Sequence, residues 1–182
     1  MNKPNGYDES EAKVGGDFPS PQAGGYVAKA IGAETKISSN GNEMLVVTVD
    51  IAEGEFKDHF TKLSEKFDKS IYPTIYQLTQ GDHVSYFKGL ISAFEHSNPN
   101  FKFNFDEKTL IGKRIGVNLR EEEYLNKDNE LKSILKVAYF CSAEEARAGL
   151  PVLDKKLLSG KKPSKQATVD SVPSPKDDDL PF

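Results

Sequence analysis

Gly25-Tyr26-Val27-Ala28-Lys29-Ala30-Ile31-Gly32-Ala33-Glu34-Thr35-Lys36-Ile37, then Ser38-Ser39-Asn40-Gly41-Asn42, then Met44-Leu45-Val46-Val47-Thr48-Val49-Asp50-Ile51 is the run whose reading decides the fold. In its first part, apolar Tyr26, Val27, Ala28, Ala30, Ile31 and Ala33 are interspersed with Lys29, Glu34 and Thr35, a long strand of imperfect alternation. The Asn-Gly pair that follows is the strongest short hairpin signal, because both central positions tolerate positive φ. The last part puts Leu45, Val47, Val49 and Ile51 on one face and Met44, Val46, Thr48 and Asp50 on the other. The first of these faces is the expected core.

Upstream of the hairpin, Met1 to Gln22 mixes Gly, Pro, Ser and acids without periodicity, so a flexible arm over 1–22 precedes a domain starting at Ala23. Downstream, Ala52-Glu53-Gly54-Glu55 reads as a turn and Phe56 to Phe60 as a short third strand. Thr61 to Gly81 has no clear period, and Pro73 argues there against a central strand or a long helix. Val84, Phe87, Leu90, Ile91 and Phe94 recur at spacings of three and four, predicting an amphipathic helix started by Asp82 and stopped before Asn98-Pro99. After a linker from Asn100 to Asp106, strands are expected over Leu110 to Tyr124 and Glu130 to Cys141, turned by Asn126-Lys127-Asp128-Asn129. Ser142-Ala143-Glu144-Glu145 has the form of an N-cap with an acidic first turn, so a short helix through Arg147 closes the domain. This order is that of a mainly β OB-fold, a five-stranded Greek-key barrel with one amphipathic helix, over 23–153. An unrelated α+β sheet is the alternative.

A chain of 182 residues fits one domain plus tails. The net charge of −4 is not the basic excess usual in nucleic-acid binders. It includes an acidic N-terminal arm (Asp8, Glu9, Glu11, Asp17) and an acidic C-terminus, and what matters for a polyanion is a local basic groove. Cys141 is the single cysteine, so neither an intrachain disulfide nor a thiolate-cluster metal site is expected, and a reducing compartment fits. No apolar segment has the form of a signal peptide or the length of a membrane span.

The C-terminus, Asp177-Asp178-Asp179-Leu180-Pro181-Phe182, follows a Lys/Ser/Pro-rich stretch from Ser159 to Lys176 that reads as a disordered tether, and the whole of 154–182 is expected to be tail. Three carboxylates closing on Leu, Pro and a terminal Phe cannot form a core. They suit a basic-rimmed pocket on a partner that captures Phe182 and its α-carboxylate. This ending resembles the acidic tip of bacterial and phage single-stranded DNA-binding proteins.

Single strands are held by basic groups that follow the backbone and by aromatic faces on which bases stack. Candidates for the first role are Lys29, Lys36, Lys57, Lys62, Arg120, Lys132 and Lys136, and for the second Tyr72, Tyr76 and Tyr124, the chain having no Trp. A half-buried core position is as good a reading for any one tyrosine, and an ordinary surface charge for any one lysine. Convergence of Lys29, Lys36, Arg120, Lys132 and Lys136 on one concave face is the arrangement that would count. Phe56, Phe60, Phe87, Phe94, Phe101, Phe103 and Phe105 are assigned mainly to packing.

Enzyme readings are weaker. Gly160-Lys161 lacks the preceding glycine of a phosphate loop. Neighbouring members of Glu121-Glu122-Glu123 point to opposite faces of a strand. His59, His83 and His96 have no zinc-ligand spacing. No cofactor and no catalytic residue is expected. The phrases Ala23-Gly24-Gly25-Tyr26, Gly41-Asn42-Glu43-Met44-Leu45, Asp50-Ile51-Ala52-Glu53-Gly54-Glu55-Phe56 and Glu122-Glu123-Tyr124, taken with the tip, extend the resemblance to the small single-stranded DNA-binding proteins of phages and mobile elements. The resemblance implies a protein of the cytoplasm of a bacterium or a phage-infected bacterium. Its barrel would coat single strands without sequence preference, and its tip would recruit replication, recombination and repair enzymes. Homo-oligomerisation stays open. So do an interaction adaptor with little DNA affinity and a metal-dependent nuclease, which would need two carboxylates converging on one ion.

Overall fold

The computed structural model describes residues 19–158. The fold is mainly β. Five antiparallel strands, β1 (Gly24–Ile37), β2 (Glu43–Ile51), β3 (Thr74–Leu78), β4 (Arg114–Leu125) and β5 (Leu131–Cys141), form one open sheet in the order β3-β2-β1-β4-β5. The helices are α1 (His59–Phe67), α2 (Val84–Ser97) and α3 (Ala143–Ala148). No helix among the described residues is long and apolar enough to cross a membrane.

The core is built from the expected face of the hairpin. Leu45, Val47, Val49 and Ile51 of β2 meet Ala28 and Ala30 of β1, Ile115, Val117 and Leu119 of β4, and the helix residues Phe60, Leu90 and Phe94. The imperfect alternation of β1 has a structural cause, a bulge between Ala30 and Gly32. The extra residue shifts the inward set from even to odd positions, so that Ala33 still packs on the core. At the turn Gly41 takes a φ of 82° while Asn40 does not enter the left-handed region. The Gly41 N–H donates to the Ser38 carbonyl at 3.0 Å, so the connection is a tight turn followed by one left-handed residue rather than a two-residue loop.

The expected third strand over Phe56–Phe60 is absent, and α1 begins there instead. Gly54 (φ 83°) and Asp58 (φ 57°) turn the chain twice and break any extended run. The Asp50 carboxylate, 1% exposed at the end of β2, then accepts the Phe60 N–H at 3.1 Å, the Thr61 N–H at 2.9 Å and the Thr61 hydroxyl at 2.6 Å. These are amides of the first helical turn that have no partner within the helix. A residue on β2 thus does what an N-cap side chain does locally, while Asp58, in the cap position, makes no side-chain cap bond.

The segment without a clear period holds two elements, α1 and β3. β3 starts directly after Pro73 and lies at an edge of the sheet, where a missing N–H costs no ladder bond. β4 starts at Arg114 rather than Leu110, because Glu107–Leu110 forms a 3-10 turn and Gly112 follows at φ 82°. α3 carries the expected cap: the Ser142 hydroxyl accepts the Glu145 N–H, and the Glu145 carboxylate accepts the Ser142 N–H. It packs Ala143 and Ala146 on Val27 and Ala52, a second small core on the other side of β1.

Tyr72, just before β3, and Leu135 of β5 pack against the same main core, and the two edge strands approach each other. The sheet is therefore strongly curled. Past Leu153 the chain stays attached to the body through Leu158. The Lys156 N–H donates to the Glu121 carbonyl at 2.9 Å and the Glu123 N–H to the Lys156 carbonyl at 3.0 Å. Most of the N-terminal arm, the tether and the tip Asp177–Phe182 lie outside the described residues.

Candidate nucleic-acid interface

The sequence candidates fall into three groups rather than on one face. The largest is the β4–β5 ribbon. Cross-strand pairing sets Arg120 beside Lys136, Glu122 beside Ile134, and Tyr124 beside Lys132. Residues two apart on a strand share a face, so Arg120, Tyr124, Lys132 and Lys136 stand on one side of the ribbon. Tyr124 is 40% exposed. Glu122 sits in the middle, its side chain only 12% exposed, accepting from Arg120 at 2.7 Å with Lys136 at 3.4 Å and Lys156 at 4.0 Å. Burial opposes the ionised carboxyl of Glu122. The Arg120 hydrogen bond and the charges of Lys136 and Lys156 outweigh that and hold its pKa below the usual carboxylate value.

The second group surrounds the start of α1. The Lys29 ammonium lies 2.6 Å from the Asp58 carboxylate, and the Lys62 ammonium donates to the Lys57 carbonyl at 3.1 Å. The hydrogen bond from Lys29 lowers the pKa of Asp58, and the charges of Lys29, Lys57 and Lys62 add to it against a smaller desolvation effect. Three cations stand against Asp58 and the buried Asp50 carboxylate at the same helix start, which leaves a small local positive excess.

The third group lies on the face of the hairpin and β3 that points away from the main core. Rows run Glu34-Val46-Tyr76 and Lys36-Met44-Leu78 across β1, β2 and β3. Met44, Val46 and Leu78 form a small buried cluster, beside which Tyr76 is 39% exposed. Tyr76, in the segment without a clear period, is on β3, and the strand fixes the direction of its ring. Lys36 pairs with Glu34 at 2.7 Å.

Tyr72 differs from the other two tyrosines, being half-buried against the core at a groove between α1 and β5. Lys29, Lys36, Arg120, Lys132 and Lys136 each have a carboxylate partner, the last of these pairs being Lys132 with Glu130 at 3.0 Å. The exposed pairs, Lys36 with Glu34 and Lys132 with Glu130, are worth about 0–1 kcal/mol, so a phosphate can replace the carboxylate there at small cost, whereas Arg120 and Lys136 are held by the largely buried Glu122.

Two features escaped the sequence reading. Phe105, assigned there to packing, is 82% exposed at a left-handed φ of 65°, its ring 5.5 Å from that of Phe103. Lys155 reaches Glu121 at 3.0 Å and Glu123 at 3.1 Å on the face opposite Glu122, so the three glutamates divide between the two sides of the ribbon. No local pattern signals this, because β5 and α3 separate Lys155 from the glutamates along the chain. A separate cavity of about 470 Å³ between α2, β5 and α3 is lined by His96, Cys141, Glu144 and Glu145. Burial, helped by Glu145, pushes the Cys141 thiol up to about 11, which keeps it protonated and unreactive. Among the described residues no group of three or more His, Cys, Asp or Glu could hold a metal ion.

No protein-family model matches the chain, and no curated protein matches it.

Proposed function

We propose that the protein is a non-catalytic single-stranded DNA-binding protein that coats DNA without sequence preference and recruits replication, recombination or repair enzymes through Asp177–Phe182. The observation that carries this reading is the ribbon face, where exposed Tyr124 stands beside Lys132 and shares a side with Arg120 and Lys136. Cations spaced along a strand with an aromatic ring among them are what a phosphate backbone with splayed bases requires. The strand order, the curl that brings β3 towards β5, and α2 between β3 and β4 support an OB-fold. In that fold the face of strands 2 and 3 and the loops joining strands 1–2 and 4–5 bind oligonucleotides. Tyr76 falls on the first of these surfaces, Lys36 near the end of β1 leads into the loop joining strands 1 and 2, and the ribbon leads into the last.

Fluorescence titration with oligodeoxythymidylate tests the reading. Binding at low salt that weakens as salt is added is expected, because each neutralised phosphate releases a counterion. Tyr124→Ala should weaken binding about tenfold, within the range for losing one stacked base. No binding at low salt would sink the proposal. The net charge of −4 and the pairing of candidate cations with carboxylates favour a second reading, an adaptor whose body has little DNA affinity and whose tip occupies pockets on replication enzymes. Partner capture without DNA binding would select it.

A further inference from the structure

An apolar groove of about 250 Å³ runs along the seam where the two edges of the sheet approach. Its lining includes His59, Phe60 and Leu63 of α1, Tyr72 ahead of β3, Leu135 and the exposed Ser133 of β5, and buried Pro21 at the end of the N-terminal arm. At this size it lies just under the range of about 300–1,000 Å³ in which drug-sized ligands bind, and so suits a single ring system. The His59 imidazole stands edge-on to Phe56 and Phe60, ring centroids 6.1 and 5.2 Å away. Burial lowers its pKa, with the Lys62 charge lowering it further against Asp50, so at neutral pH it presents one nitrogen donor and one acceptor. A flat aromatic ligand with hydrogen-bonding edges matches such a lining.

The surroundings supply the rest of the ligand. Lys57 and Lys62 flank His59 in sequence, and with Lys29 they outnumber the carboxylates of Asp58 and Asp50 at the start of α1. This positive excess beside an apolar slot is complementary to a nucleotide, whose base is flat and whose phosphate is anionic. Resting on the DNA-binding reading above, we infer that the seam groove holds one nucleobase of a bound single strand, with the adjoining phosphate on Lys57 and Lys62. Because Ser133 and Leu135 face the opposite side of β5 from Lys132 and Lys136, the strand passes from the ribbon face around the free edge of β5 at the seam to the start of α1. The groove also gives Tyr72 a role that exposure alone does not suggest: a half-buried ring lining a slot rather than a surface platform.

Two measurements on the full-length protein test this. Photocrosslinking with iodouracil-substituted oligodeoxythymidylate should label Tyr72 or His59. Labelling confined to Tyr76 and Tyr124 would leave the groove to a protein segment instead of a base and overturn the inference. Ser133→Leu fills the edge of the groove at an exposed position, and should weaken binding about tenfold, as loss of one stacked base does. Ser133→Ala removes the hydroxyl bonded to Glu121 without filling the slot, and should bind as the parent does. Equal affinity of Ser133→Leu and the parent, or equal weakening by both substitutions, overturns the groove while leaving the DNA-binding reading standing. Failure of the parent protein to bind at all removes both.

Discussion

Gly116 shows how tightly single residues are specified. A Cβ at this position would lie 2.3 Å from the Ser142 carbonyl oxygen and 2.6 Å from the Cys141 sulfur. Backbone cannot rotate away as a side chain can, so α3 or the end of β5 would have to move. Gly116→Ala should therefore destabilise the protein by about 1–3 kcal/mol, the usual cost of overpacking, read as a lower urea midpoint at unchanged slope. At Gly25 the clash is with the Cβ and Cγ of Leu150 at 2.8 Å; no rotamer moves the Cβ, but Leu150 follows α3 in irregular backbone that can shift more readily than the β5–α3 junction, so Gly25→Ala should cost less. Equal losses at the two sites would refute the distinction. Residue roles of this kind were poorly legible in the sequence. Phe105 reads as one of seven packing phenylalanines, and only its left-handed backbone puts it outside; Tyr72 and Tyr76 read alike, and only burial separates them.

At the scale of elements, legibility followed the range of the interactions. The β1–β2 hairpin, α2 and α3 are specified by neighbours in sequence: alternation, a Gly turn, a three-four spacing, a capping box. α1 is not legible, its first two residues reading as the end of a strand and the rest showing no clear period, because its decisive acceptor, Asp50, is on another element, ten residues before the amide it caps. The β4–β5 ribbon depends likewise on a distant segment, since Lys155 and Lys156 reach Glu121, Glu122 and Glu123. The Glu122 pKa is held below its ordinary 4.5, so its stabilising contribution is complete above that pH and is lost as pH falls through the lower folded value. Stability measured by urea denaturation should fall as pH drops below about 4.5, and Glu122→Gln should flatten that fall. Identical pH slopes in the two proteins would show that the cluster does not hold the ribbon.

For the whole molecule, the proposed function divides the chain into a body that binds DNA and a tip that binds partners. Removing Asp177–Phe182 should leave DNA affinity unchanged or somewhat tighter, because a tethered acidic segment competes with DNA for the lysines. Phe182→Ala should abolish partner capture while sparing DNA binding, checked by pull-down and titration on the same preparation. Markedly weaker DNA binding on truncation, or unchanged capture by Phe182→Ala, would overturn the division. The sequence by itself determined the class of fold, the hairpin and its inward face, most of the helices and the chemical character of the C-terminus, since these rest on local periodicity, turn chemistry and composition. Tertiary structure alone decided that Asp50 starts a helix, that the cations sort into three groups each facing carboxylates, and that Tyr72 lines a seam while Tyr76 and Tyr124 face outward. The physical reason is that charge pairing and burial are set by which strands become neighbours, and a curled sheet brings together residues that the chain keeps far apart.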